Sequence, residues 1–271
     1  MIDKALQENL KKKYNPENSN LRLSQLRMLD LLKFIDKICK KHNLAYWLDG
    51  GTLLGAARHG GFIPWDDDTD ICMPREDALR LKKILKSDIH EDHILLQTKD
   101  CDKNYPNSSW MTLRDLKSRY IQDLNQHNLM KYQGLQVDVF LMECNVPAPI
   151  KRFSSILHDL LIYYPLENKY HTKIFRPLVN INHRILDNAV YPLLRLIKNK
   201  DNTITYGVGA PFKNKYTKDD IFPLGKIKFE GYEFNCPNNV DSYLTNLYGT
   251  WTEIPDEDHV IIHTHNIELY D

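Results

Sequence analysis

Four aspartates fall within five positions, at Asp66, Asp67, Asp68 and Asp70, in the segment WLDGGTLLGAARHGGFIPWDDDTDI that covers 47–71. Carboxylates this close raise each other's proton affinity unless a cation sits among them. Alternation along a strand puts Asp68 and Asp70 on one face. That pair suits a divalent, oxygen-seeking ion, Mg2+ or Mn2+, better than it suits zinc. A third carboxylate, Asp138, stands in Val137-Asp138-Val139-Phe140, where an adjacent strand could aim it at the same ion. Upstream, Gly50-Gly51-Thr52 makes a turn before a short helix, and exposed N–H groups at such a start favour a phosphate. Taken separately, an aspartate run usually forms a solvated loop or a cap, and a glycine pair only a turn. Their order is more telling: strand, Gly-Gly-Thr, short helix, Asp-x-Asp strand, distant apolar-flanked Asp. It is the order expected of a metal-dependent phosphoryl or nucleotidyl transferase.

Several elements must position these residues. Apolar residues at helical spacing (Met28, Leu31, Leu32, Ile35, Ile38 and Cys39) predict a helix over 21–42, with Asn43 as its C-terminal cap. A short strand follows at 44–48, and Thr52 caps a short helix running toward His59. Gly60, Gly61 and Pro64 make a loop into a strand at 68–73. Pro74 suits a first helical position, with an amphipathic helix over 78–85. Further strands are expected at 94–98, 110–113, 119–121 and 135–141. Residues 151–200 read as helix-rich, interrupted by Pro165, Pro177 and Pro192. A small β element at 226–234 and a helix at 240–248 complete the chain. The pattern is a mixed α/β sheet with a site at one end of its strands.

Bulk properties exclude other classes. The 271 residues carry 36 acidic and 36 basic side chains, so no global field attracts nucleic acid or anionic membrane. The five scattered cysteines form no CxxC pair. The N-terminal segment is polar, without the apolar core of a signal peptide, and no stretch reads as a membrane span. The expectation is a cytoplasmic protein without an integral membrane segment, with peripheral attachment at the inner face of a membrane left open.

The block YWLDGGTLLGAARHGGFIPWDDDTDICMPR strongly resembles the LicD family, which includes phosphocholine transferases and relatives of fukutin and fukutin-related protein. The likeness is dense from about 24 to 80 and returns at GLQVDVF and at FPLGKIKFEGYEFNCPNNVDSYLTNLYGTWTEIP; it is weak over 145–205. Thr69 stands where the family more often has isoleucine or valine. The resemblance implies a polymerase-β-type nucleotidyltransferase fold, α/β (α+β), with a mixed sheet flanked by helices and a helical insertion. Residues 1–271 are then one domain, with a catalytic core at 21–145, the insertion at 146–205 and a C-terminal segment at 206–271 packing on the core. The implied activity is transfer of a phosphorylated small group, phosphocholine or a polyol phosphate, from a CDP-linked donor to a hydroxyl of a glycan or glycolipid. In that reading Asp68, Asp70 and Asp138 are catalytic and hold the metal, with Asp138 a ligand or a general base. Gly50, Gly51, Thr52, Arg58, His59 and Arg114 contact substrate. Asp66 helps bind a second metal, and Asp67 caps or faces solvent.

Other features carry less. His259, His263 and His265 form a His-x3-His-x-His pattern that is more often incidental than a metal site, although His263 could touch substrate. Arg114 and Lys117 either line a donor pocket or pair on a solvated edge. Tyr163, Tyr164, Tyr170 and Phe175 read as helical packing before a choline cage. Two rival functions share the fold: a nucleotidyltransferase moving a nucleoside monophosphate to a small molecule, and a catalytically inactive binding protein.

Overall fold

The computed structural model describes residues 2–87, 92–106, 109–122, 129–162, 169–255 and 264–270. Helix α1 (Lys4–Tyr14) starts at Asp3, whose carboxylate accepts from the Ala5 and Leu6 amides at 2.9 and 3.2 Å. None of its residues is buried, although Leu10 and Tyr14 pack against the core. Helix α2 (Asn20–His42) starts at Ser19, whose hydroxyl accepts from the Arg22 amide. It ends where Asn43 turns left-handed at φ 51°, the cap expected there. Its stripe from Met28 to Cys39 is buried and faces the sheet.

The next four elements are β1 (Trp47–Leu48), α3 (Gly50–His59), β2 (Asp70–Pro74) and α4 (Arg75–Ser87). Here three boundaries depart from expectation. Helix α3 begins at Gly50, with Asp49 at the cap position, because Gly50 reverses the chain at φ 52°. Thr52 therefore lies inside the first turn, and its hydroxyl accepts from the Asp70 amide at 2.8 Å. Strand β2 begins at Asp70, leaving Asp68 in the preceding loop, where a turn closes from the Asp66 amide to the Ile63 carbonyl. Pro74 is the last residue of that strand and not the first of a helix.

Strands β3 (Ile94–Gln97), β4 (Trp110–Asp115), β5 (Ser118–Gln122) and β6 (Gln136–Cys144) follow near their expected places. Helices α5 (Ala148–Ile162) and α6 (Lys169–Ile185) lead through a π turn at Leu186–Val190 into α7 (Tyr191–Leu194). Pro177 lies within α6 and does not end it, whereas Pro192 sits at the start of α7, where its missing N–H costs little. Pro165 lies outside the described residues. Strands β7 (Thr203–Tyr206) and β8 (Lys215–Thr217), helix α8 (Lys218–Ile221), the hairpin β9 (Gly225–Phe229) and β10 (Tyr232–Cys236), helix α9 (Val240–Tyr248) and strand β11 (Thr264–Leu269) close the chain.

The main sheet runs β1-β2-β6-β4-β3, with β2 and β6 parallel and the other pairs antiparallel. Beyond the end of β4, β6 takes β7 as partner through Met142–Cys144, and β7 brings β8. Helix α2 packs on β4 and β6, and α4 on β2 and β6. Asp70, Asp138 and Thr112 occupy one row across β2, β6 and β4, so they share a face. Ile71, Val139 and Leu113 point to the other face and are fully buried. A smaller apolar cluster of Val146, Leu186, Tyr191 and Val208 lies beneath the helical segment. No helix among the described residues is long and apolar enough to cross a membrane.

Candidate active site

The parallel register sets Asp70 directly beside Asp138, and the antiparallel one sets Asp138 beside Thr112. Thr112 donates its hydroxyl proton to Asp138 Oδ1 at 2.5 Å, and the Gln136 amide donates to Oδ2 at 3.2 Å. Both carboxylate oxygens are therefore oriented by side chains of the same sheet. Gln136 is itself held by Arg114, which also donates from Nε to Gln97 at 2.7 Å and from Nη1 to the Gly134 carbonyl at 2.9 Å. The Arg114 guanidinium is buried in this network and lines no open edge of the sheet. It acts on Asp138 by charge and through Gln136. Burial pushes the Asp138 carboxyl up to about 6, with the Arg114 charge and the Thr112 hydrogen bond opposing and Asp68 adding to the rise.

Asp70 is held well above the ordinary carboxylate range, first by desolvation and then by repulsion from Asp68, Asp138, Asp49 and Asp66. The residue as a whole is intermediate in exposure, and its Oδ2 faces the Gly50 backbone. One carboxylate oxygen from each of Asp66, Asp67 and Asp68 comes within 4.8 Å of the others. Asp67, expected to cap or to face solvent, is instead 1% exposed and belongs to this trio. The loop turns back on itself before β2, and so an alternation rule drawn from a strand does not apply to it.

Gln25 of α2 fixes that loop from behind. Its amide donates to the Asp66 carbonyl at 2.9 Å, and its own oxygen accepts from Asn15 at 2.8 Å. On the other side, the Glu230 carboxylate accepts from Arg22 at 2.6 and 3.1 Å and from the Phe62 amide at 3.1 Å. The hairpin β9–β10 thus anchors the Gly60-Gly61 turn ahead of the acidic loop.

The glycines of α3 meet the acids at close quarters. A Cβ on Gly50 would lie 2.7 Å from Asp70 Oδ2, and one on Gly51 would lie 2.7 Å from Asp66 Oδ2. The absence of side chains lets the positive end of α3 approach the carboxylates directly. Asp49 does not cap this helix with its side chain. It turns inward, 1% exposed, and accepts from Tyr206 and Tyr243 at 2.8 Å each and from the Cys72 thiol at 3.1 Å. The phenol of Tyr248, at the end of α9, is raised by desolvation and then by the charges of Asp49, Asp70, Asp66 and Asp68, although 46% of the residue's surface stays exposed.

Arg58 and His59 occupy different positions from those expected of phosphate ligands. Arg58 is 4% exposed and donates from Nη1 to the Trp251 and Glu253 carbonyls at 3.0 and 2.6 Å. Its Nε donates to His59 Nε2 at 3.0 Å, which makes that nitrogen an acceptor and sends the ring proton from Nδ1 to Gln7 at 2.6 Å. Burial, then the Arg58 charge, pulls His59 down to about 3, so the ring is neutral. The pair ties α3 to α1 and to the C-terminal segment. His259 and His263 lie outside the described residues, as do Tyr163 and Tyr164. His265 falls on β11, and Tyr170 and Phe175 on α6, with their side chains outside the described parts.

The donor set is all oxygen and is crowded with like charge, which fits a hard divalent cation such as Mg2+ or Mn2+. Asp49, Gln25 and Tyr248 were not among the residues that sequence reasoning selected. Asp49, directly before the glycine pair, had a visible signal; the partners of Gln25 and Tyr248 are too distant in sequence to give one.

Comparison with known proteins gives this geometry a family. The model described as LicD/FKTN/FKRP, nucleotidyltransferase domain, matches residues 43–196, more than half of the chain. The lipopolysaccharide cholinephosphotransferase LicD of Haemophilus influenzae is 25% identical over 276 residues, covering 88% of this chain and 93% of its own. An uncharacterized protein of Rickettsia prowazekii is 47% identical over 60 residues, 22% of this chain and 23% of its own. The ribitol 5-phosphate transferase FKRP of Homo sapiens is 47% identical over 46 residues, a segment that covers 17% of this chain and 9% of that protein. The chain belongs to the LicD/FKTN/FKRP nucleotidyltransferase-domain family.

Proposed function

We propose that this protein is a metal-dependent phosphotransferase of polymerase-β-type nucleotidyltransferase fold. It would move a phosphorylated small group, phosphocholine or a polyol phosphate, from a CDP-linked donor to a hydroxyl of a cell-surface glycan or its precursor. The observation that carries this reading is the contact of Asp70 and Asp66 with the glycine end of α3, with Asp67 and Asp68 grouped with Asp66 and with Asp138 beside Asp70 in register. Similarity over 88% of the chain to a lipopolysaccharide cholinephosphotransferase supports the reaction class, and the short match to a ribitol 5-phosphate transferase agrees with it.

Asp68 and Asp70, joined by Asp66 and Asp67, would hold Mg2+ or Mn2+, and Asp138 is left as the base. When bound, the ion would neutralise the donor pyrophosphate and stabilise the departing CMP. The chain's own residues supply the rest. Gly50 and Gly51 let the helix start close on Asp70 and Asp66, so that the donor phosphates would meet it through the shared metal. Asp138, oriented by Thr112 and Gln136, takes the proton of the acceptor hydroxyl as general base. Its raised proton affinity suits that exchange near neutral pH. Arg58 and His59 position α3, and Arg114 positions Asp138.

The test is a panel of CDP-choline, CDP-ribitol, CTP and ATP, each with Mg2+ and the purified protein. Release of CMP from a CDP-linked donor is the expected outcome. Release of pyrophosphate from CTP or ATP would mean nucleotidyl transfer and would overturn the reading. Turnover of none of the four would favour the inactive binding protein.

A further inference from the structure

A second cavity, of about 620 Å³, opens between α4, the β3–β4 connection and the segment from α6 to α7. It meets β2 at its Pro74 end, the end opposite Asp70. Six cations line it: Arg75, Lys82, Lys99, Lys103, Arg184 and Arg195. The chain as a whole has no net charge, so this is a strong local excess.

The excess survives a count of partners. Lys82 pairs with Asp100 at 3.0 Å, and Lys99 with Asp187 at 2.7 Å. Arg195 and Arg75 converge on one carboxylate, Glu143, at 3.0 and 3.8 Å. Glu143 also accepts from the Val208 amide at 3.1 Å, so a single acid serves two guanidinium groups and a backbone donor. Lys103 and Arg184 are exposed and carry no ion pair among the described residues. Trp110, Met111 and Leu141 give the cavity an apolar side, and Asn180 and Asn188 add uncharged hydrogen-bonding groups. Cationic side chains that outnumber their carboxylates around an open cleft favour an anion with several acceptor oxygens.

We propose that this cleft binds a phosphate-bearing ligand at a site separate from the acidic recess, with the phosphate among Arg75, Lys103, Arg184 and Arg195. The ligand's body then rests toward Trp110 and the two asparagines. A phosphorylated sugar and a nucleotide share this chemistry. The inference stands on the cavity alone and does not depend on the transfer reaction.

The experiment titrates inorganic pyrophosphate, glucose 6-phosphate and CMP into the full-length protein by calorimetry, with glucose and cytidine as uncharged controls. A chelator is present throughout, so that the metal-free acidic recess repels anions and any binding belongs to the cleft. Saturable binding of the phosphate-bearing probes, at least tenfold weaker in the double variant K103E/R184E, is the expected result. The tighter of glucose 6-phosphate and CMP identifies the source as glycan-linked or nucleotide. Both substituted residues are exposed, and far-ultraviolet circular dichroism checks the fold. The milder K103Q/R184Q serves if the charge reversal disturbs it. Asp68→Asn should leave binding unchanged. Absence of saturable binding, equal binding of the uncharged controls, or unchanged affinity in both double variants would overturn the proposal.

Discussion

Asp49→Ala would leave two tyrosine hydroxyls and a thiol facing a void where they now donate to one carboxylate. Buried donors without acceptors are costly, so a loss of about 3 kcal/mol is expected, read as a lower urea midpoint. Asp70 should behave in the opposite way. Its carboxyl is repelled by Asp68, Asp138, Asp49 and Asp66. Asp70→Asn should therefore raise the melting temperature of the metal-free protein while abolishing Mn2+ binding, followed by electron paramagnetic resonance. A variant that kept wild-type Mn2+ affinity would remove Asp70 from the ligand set. At this scale the sequence was legible where chemistry repeats locally. The crowding of aspartates at 66–70 and the apolar-flanked strand of Asp138 could be found from their neighbours alone; Asp68, expected on the strand of Asp70, instead lies in the loop, because β2 begins only at Asp70. The burial of Asp67 could not, because Gln25 of α2 fixes the loop from outside it. Nor could the engagement of Arg58 and His59, whose partners Trp251, Glu253 and Gln7 come from the two ends of the chain.

The glycine start of α3 and the helical segment after β6 carry the element-scale consequences. Gly51→Ala puts a methyl group 2.7 Å from Asp66 Oδ2. The expected result is weaker Mn2+ binding with only a modest shift in melting temperature, since the backbone there needs no left-handed conformation. Gly50→Ala adds that penalty, about 1–2 kcal/mol for a non-glycine residue in the left-handed region, and should lose stability as well as activity. In α5, Lys151 is buried and donates to the Gly207 and Ala210 carbonyls at 3.0 and 2.9 Å. Desolvation, partly offset by the Glu143 charge, pulls it down to about 7. Between pH 7 and the ordinary lysine value of 10.5 the unfolded chain holds a proton that the folded chain has released. Stability of the wild type relative to Lys151→Met should therefore rise with pH across that window and be flat below it, as measured by urea unfolding. Helix α2 was legible because its apolar stripe, start and stop signals agree. Strands β7, β8 and β11 were not: their partners β6, β7 and β5 are fixed by tertiary pairing and not by local pattern.

Across the whole molecule, balanced charge conceals a polar arrangement. Acids concentrate at the Asp70 end of β2, and cations concentrate beyond its Pro74 end. The sheet between them sets the separation, with α3 delivering its glycine end to one side and the α6–α7 segment walling the other. The density of aspartates in the 66–70 stretch is sustained by the rest of the fold through Gln25, Thr112, Gln136 and Arg114. The positive charge we propose for it is a divalent cation. The most direct test is CMP release from CDP-choline and CDP-ribitol as Mg2+ is titrated, in the wild type and in Asp68→Asn. Metal-dependent CMP release by the wild type, lowered about a hundredfold or more in Asp68→Asn, is the expected result. CMP release that persists undiminished in a chelator, or in Asp68→Asn at wild-type rate, would contradict the assignment of the acidic recess as a metal-dependent phosphotransfer site.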